Sequence, residues 1–188
     1  MREETVRVYT YKDLDQKARK KAHDKFLEHC DYSTVLNEML NASVIDLLEE
    51  QKIGQACEKV QVYYSLGYSQ GDGVCFVGKF NFRYEGNVYA AYVEHTGRYY
   101  HKLSVNISIF NDEDPDVFVL SDTYNGARNC FKKKYYNICD KLEREGYEII
   151  EQEESEENFE ELCNINNWEF FKNGTMFCEK LYKANKET

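Results

Sequence analysis

A chain of 188 residues suffices for one domain of ordinary size, and 16 tyrosines and 11 phenylalanines among an aromatic content of 15% supply its core. A single proline, Pro115, and ten glycines exclude long disordered linkers, and no apolar run approaches the roughly 18 residues of a membrane span. A net charge of −10 with a pI near 5.0 argues against duplex nucleic acid as the main ligand, so direct nucleic-acid binding is expected to be weak or absent.

The elements follow in order. Thr5 to Thr10 alternates Val6 and Val8 with polar neighbours and predicts a first strand. Asp13 can cap a first helix, with Gln16 three residues on and Leu14, Ala18, Ala22 and Phe26 forming an apolar stripe. Ser33 can cap a second helix, whose buried face is Val35, Leu36, Met39, Leu40, Val44, Leu47 and Leu48, and Gly54 is its expected stop. The period then switches to two. Val60 to Leu66, Val74 to Phe82, Val88 to Glu94 and Lys102 to Phe110 predict an antiparallel meander, with Val74, Phe76, Phe80 and Phe82 on one face and Leu103, Val105, Ile107 and Ile109 on another. A short strand at Val117 to Leu120 is expected after the acidic run Asp112 to Asp116.

A third helix is expected over Asn125 to Glu145, with Ala127, Phe131, Ile138 and Leu142 inward, Arg128, Lys132, Lys133 and Lys134 outward, and Gly146 as breaker. Ser155 should cap a short fourth helix that faces Phe159 and Leu162 to the core. Trp168 to Cys178 reads as a hairpin around Asn173-Gly174. The expectation is one α+β domain over 1–188: a mainly antiparallel sheet with two N-terminal helices and C-terminal helices packed on it, and a C-terminal β-hairpin.

Two loops carry unusual chemistry. Tyr68-Ser69-Gln70-Gly71-Asp72-Gly73 joins two strands with glycines and hydrogen-bonding side chains. It lacks the lysine of a phosphate loop, the alternating oxygens of an EF-hand and the G-x-S-x-G of a nucleophile elbow. Asp72 is expected to accept backbone N–H groups within the loop while Tyr68 and Gln70 are displayed, with Ser69 beside them. The second loop, Glu94 to His101, carries His95, Arg98, Tyr99, Tyr100 and His101. It is a polar hairpin end that could also serve proton transfer. A metal site there would need distant carboxylates such as Asp112, Asp114 or Asp116, so no metal or cofactor is expected.

The acidity is local. Ten glutamates against Arg144 between Glu143 and Glu161 give that segment −9 of the total −10. It reads as a solvated face or as a negative surface for a basic partner, with Glu153, Glu154, Glu156 and Glu157 as candidate contacts. Seven cysteines with no CxxC pair read as reduced, mostly buried thiols. The start Met1-Arg2-Glu3-Glu4 is unlike a signal peptide, so a cytoplasmic location is expected.

The segment SLGYSQGDGVCF, with EHTGRYYH and ENFEELCNINNWEFFKNG after it, resembles a group of small phage and prophage proteins that share an S-Q-G-D-G loop and overlap with inhibitors of bacterial CRISPR nucleases. That resemblance implies a non-enzymatic mobile-element protein in the cytoplasm of a bacterial host. It would bind and inhibit a defence effector such as a Cas9-type nuclease, without a membrane partner and with homo-oligomerisation left open. Two other readings stand beside it: a small metal-dependent hydrolase or nucleotide-processing enzyme using Asp72, His95 and His101, and an antitoxin that neutralises a protein toxin.

Overall fold

The computed structural model describes residues 5–56, 59–111 and 122–178. The fold class is α+β as expected; the antiparallel open sheet holds the four strands that periodicity predicts and a fifth that it does not, Ile53–Gln55. Contacts divide the chain into two compact units, one from the chain ends up to Tyr32 and from Ile150 onward, the other Ser33–Ile149.

The second unit holds the sheet. Helix α2 (Ser33–Glu50) is followed by β1 (Ile53–Gln55), β2 (Gln61–Ser65), β3 (Gly73–Tyr84), β4 (Asn87–His95), β5 (Val105–Asn111) and helix α3 (Asp122–Glu153). Strand β3 is the organising member, because β1, β2 and β4 all pair with it and β5 pairs with β4. Its Val74, Phe76, Phe80 and Phe82 are buried on the face where Ala91 lies opposite Phe80 and Ile109 opposite Ala91. Helix α2 contributes Leu36, Leu40, Val44 and Leu48 at four-residue intervals. From α3, Phe131 sits with its ring centroid 6.0 Å from Phe80 and 5.0 Å from Phe82. Each such aromatic contributes about 1.5–3 kcal/mol when taken fully out of water.

A hydroxyl completes this sheet where a strand runs out. The β3–β4 ladder begins at Gly78↔Val93, so Phe76 lies beyond it. The buried Tyr135 of α3 donates to the Phe76 carbonyl at 3.0 Å and accepts the Phe76 N–H at 3.1 Å, standing in for a strand neighbour. Burial pushes the Tyr135 phenol far above its ordinary range, so it stays a neutral donor.

The first unit is built on a 3-10 turn (Tyr11–Asp13), α1 (Gln16–Leu27) and α4 (Glu156–Ile165). Tyr11, Leu14, Ala18, Ala22, Phe159, Cys163 and Phe170 form its core, with Tyr9, Phe26 and Trp168 partly buried against it. Ser155 caps α4 by accepting the Asn158 N–H at 3.1 Å, as expected.

Several expectations need correction. The strand at Thr5 to Thr10 is a single bridge, Tyr9↔Phe170, because Thr10 already turns into the 3-10 segment, where Asp13 accepts its N–H and hydroxyl. The cap of α1 is therefore Asp15, which accepts the Ala18 N–H at 2.9 Å. Gly54 does not simply stop α2 but sits in β1. Gly146 does not break α3, which runs on to Glu153. It is a packing glycine: a Cβ there would lie 2.4 Å from Leu66 Cδ1, so a larger residue would make the Leu66 side chain shift where the helix meets the β2–β3 loop. Leu103 lies in a turn before β5 and is 65% exposed. Cys163 is buried in α4, whereas Leu162 is half-buried. The C-terminal hairpin is reduced to the bridge Phe170↔Met176 around a turn closed by Gly174 N–H to the Phe171 carbonyl at 2.9 Å. The acidic run Asp112 to Asp116, the strand at Val117 to Leu120 and Cys57 lie outside the described residues.

Tyr135→Phe keeps the ring packing but orphans the Phe76 N–H and C=O. It is expected to cost about 2–4 kcal/mol in a urea titration; a loss below about 0.5 kcal/mol would show that the hydroxyl is dispensable.

Candidate functional site

The loop between β2 and β3 is built around one carboxylate. Asp72 Oδ2 accepts the Gly67 and Ser69 N–H groups, each at 2.7 Å, and the Tyr147 hydroxyl at 3.1 Å. Its Oδ1 accepts the hydroxyls of Ser65 at 3.1 Å and Ser69 at 2.9 Å. Partial burial works against the charge. The Ser69 and Gly67 amides, the Ser69 hydroxyl and the Tyr147 phenol outweigh it and lower the Asp72 pKa to about 2. The Tyr147 phenol is raised in turn, by its own burial and then by its hydrogen bond to the charged Asp72.

The same closure fixes Tyr68. It is held at φ 55°, a left-handed conformation that costs a residue with a side chain about 1 kcal/mol. Its ring packs on Tyr147 with centroids 4.7 Å apart, yet it stays 66% exposed. Gln70 is exposed at the loop tip, whereas Ser69 spends both its N–H and its hydroxyl on Asp72.

The loop between β4 and β5 meets this one directly. Gly71, at φ 110°, lies under the Tyr99 ring, where a Cβ would be 3.1 Å from Cδ1; a Cβ on Gly73 would be 3.0 Å from the His101 ring and 3.1 Å from the Tyr100 carbonyl. Two glycines thus let the loops touch backbone to ring. Behind them Tyr63, His95 and Tyr100 form a ring cluster with centroid separations of 5.3–5.7 Å. His95 Nε2 donates to the Tyr99 carbonyl at 3.1 Å, and His101 Nδ1 accepts the Leu103 N–H at 3.1 Å. Arg98 lies 5.9 Å from the Tyr99 ring centroid. Tyr68, Tyr99, Tyr100 and Leu103 remain exposed.

Of the candidate residues, Tyr68, Ser69, Gln70, Asp72, His95, Arg98, Tyr99 and His101 therefore come together in the second unit. Glu153 at the end of α3, Glu154 in the turn that follows it, and Glu156 and Glu157 at the start of α4 lie in the first. Three of those glutamates have internal work: Glu153 accepts from Asn158, Glu154 from Tyr32 and Glu156 from Tyr11. Glu157 is exposed, as are Glu151 and Glu161. Tyr63 and Tyr147 join the site as well. Alternation along β2 marked Tyr63 as off the Val60–Val62 face, but nothing local could pair Tyr147 with a carboxylate 75 residues away.

This arrangement supplies contact area. Both Asp72 oxygens are taken by loop donors, and His95 and His101 each commit a ring nitrogen to the backbone. Among the described residues no group of three or more His, Cys, Asp or Glu is placed to hold a metal, and no helix is long and apolar enough to cross a membrane. The described cysteines are free: Cys75, Cys139 and Cys163 buried, Cys30 and Cys130 half-buried, Cys178 exposed. Burial pushes the Cys75 thiol up to about 11 and Cys163 up to about 12, which suppresses their thiolates. No family model, curated protein or solved structure matches this chain.

Because the folded Asp72 pKa is below the ordinary 3.8, its contribution is fully present above about pH 4 and is lost as pH falls towards 2. Amide exchange at Gly67 and Ser69 is expected to lose protection over that window, after correction for the intrinsic pH dependence. Asp72→Asn should lose at least about tenfold at pH 7. Unchanged protection in Asp72→Asn would show that the loop closes without the carboxylate.

Proposed function

We propose that this chain is a non-enzymatic binding protein of phage or mobile-element origin that inhibits a bacterial defence effector, a Cas9-type nuclease, in the host cytoplasm. The observation that carries the binding part is the joining of two loops into one exposed aromatic surface held by Asp72. Tyrosines offer large contact area at small entropic cost, and a closed loop has little ordering left to lose on binding. The choice of effector rests on the acidic segment and the S-Q-G-D-G resemblance. Exposed Glu151, Glu157 and Glu161 suit a cationic channel built to hold a guide–target heteroduplex. Glu153, Glu154 and Glu156 serve their own unit first, so they are secondary in this reading.

The test is cleavage of target DNA by a guide-loaded Cas9-type nuclease with increasing amounts of the protein. Cleavage should stop near stoichiometric protein. Tyr68→Ala with Tyr99→Ala should raise the inhibitory concentration at least about tenfold, and Glu151→Gln, Glu157→Gln and Glu161→Gln together should slow association and flatten its salt dependence. Undiminished cleavage at saturating protein would overturn the choice of effector; full inhibition by the tyrosine variant would overturn the surface.

A further inference from the structure

The first unit contains a groove that the proposed function does not use. It has a volume of about 750 Å³ and runs between α1 and the C-terminal turn. Its apolar lining is Ala22 and Phe26 from α1 with Phe170 and Met176 from the chain end, and Met176 is 44% exposed. Every ionisable group lining it is basic: Lys21 and Lys25, one helical turn apart on α1, and His29 just beyond. Helix α1 itself carries Lys17, Arg19, Lys20, Lys21 and Lys25 against Asp24 alone, in a chain of net charge −10.

Its walls are fixed by close packing. A Cβ on Gly174 would fall 2.1 Å from the Ala18 carbonyl oxygen, so the turn can rest on the α1 backbone only with glycine there. Lys21 Nζ donates to Thr175 Oγ1 at 3.1 Å and ties the two walls together. Lys25 pairs with Glu28 at 2.5 Å, a carboxylate outside the lining.

The geometry points to a binding site for a small amphipathic carboxylate, a single apolar tail or ring carrying one anionic head. The volume lies in the range of about 300–1,000 Å³ typical of small-ligand sites, and an apolar floor with a cationic rim matches the two ends of such a molecule. Charge also selects against the segment that follows Cys178. The following segment 179–188 has three lysines against two glutamates and brings no net negative charge to the rim. This inference is independent of the loop surface and of the effector.

Dodecanoate, kept below its micelle threshold, is the probe, titrated into the full chain by calorimetry with Trp168 fluorescence as a second signal. Trp168 is the chain's only tryptophan and packs in the same unit. Saturable one-site binding in the micromolar range is expected, with dodecyltrimethylammonium failing to bind. Lys21→Gln with Lys25→Gln should weaken dodecanoate about tenfold with an unchanged thermal melt, and Met176→Glu should weaken it similarly. Absence of saturable binding, equal binding of the cationic analogue, or indifference to the lysine pair would each overturn the assignment. Removal of 179–188 that raised dodecanoate affinity tenfold, or a concentration-dependent dimer dissolved by Met176→Glu, would overturn it in favour of another occupant.

Discussion

One carboxylate organises the end of the sheet. Asp72 gathers two backbone amides, two serine hydroxyls and a phenol, and these donors come from its own loop, from the end of β2 and from α3. The amides curl the loop, Ser65 ties it to the end of β2, and Tyr147 ties it to α3. Because the acceptor is charged, these bonds are stronger than neutral ones, although partial solvent access limits their value. What they offset is visible in the backbone: Tyr68 is kept at positive φ with its ring held over Tyr147. The remaining features follow from that closure. Gly71 and Gly73 lie where the second loop can rest on them, and Gly146 leaves room for the Leu66 side chain beside the helix bearing Tyr147.

The parts of the fold that depend on local period were legible in the sequence. Alternation located β2 to β5, because apolar residues recur at every second position along them, and Ser155 marked α4, because a cap is a local hydrogen bond. The parts that failed depend on distant partners. Gly146 reads as a helix stop in isolation, and only the position of Leu66, eighty residues earlier in the chain, makes it a contact. Leu103 continues the alternation of β5 but lies outside the ladder, since Thr96 N–H bonds the Ser104 carbonyl and closes the loop there. β1 is three residues long and contains a glycine, too short for a periodic signal. Tyr9 pairs with Phe170 across most of the chain, and a single bridge replaced the expected strand.

The same division applies to the site. That Asp72 would hold its own loop could be read from Ser69 and the flanking glycines, because an Asx-type bond spans few residues. That the His95–His101 loop would lie against it could not, since that contact is made across the end of the sheet. The glutamates show the opposite error of reading charge alone. The cluster is partly engaged by Tyr11, Tyr32 and Asn158, while Glu148, Glu151, Glu157 and Glu161 are exposed with charge to offer. Each unit thus presents a different chemistry: the sheet unit a fixed aromatic surface, the terminal unit exposed carboxylates and a basic groove.

The central claim is that the joined loops are rigid before any partner arrives. Backbone ¹⁵N relaxation of the free protein tests it most directly. The account predicts order parameters of about 0.85 for residues 67–73 and 97–103, equal to those of β3 and β4. Values below about 0.6 in either loop, with the strands rigid, would contradict it.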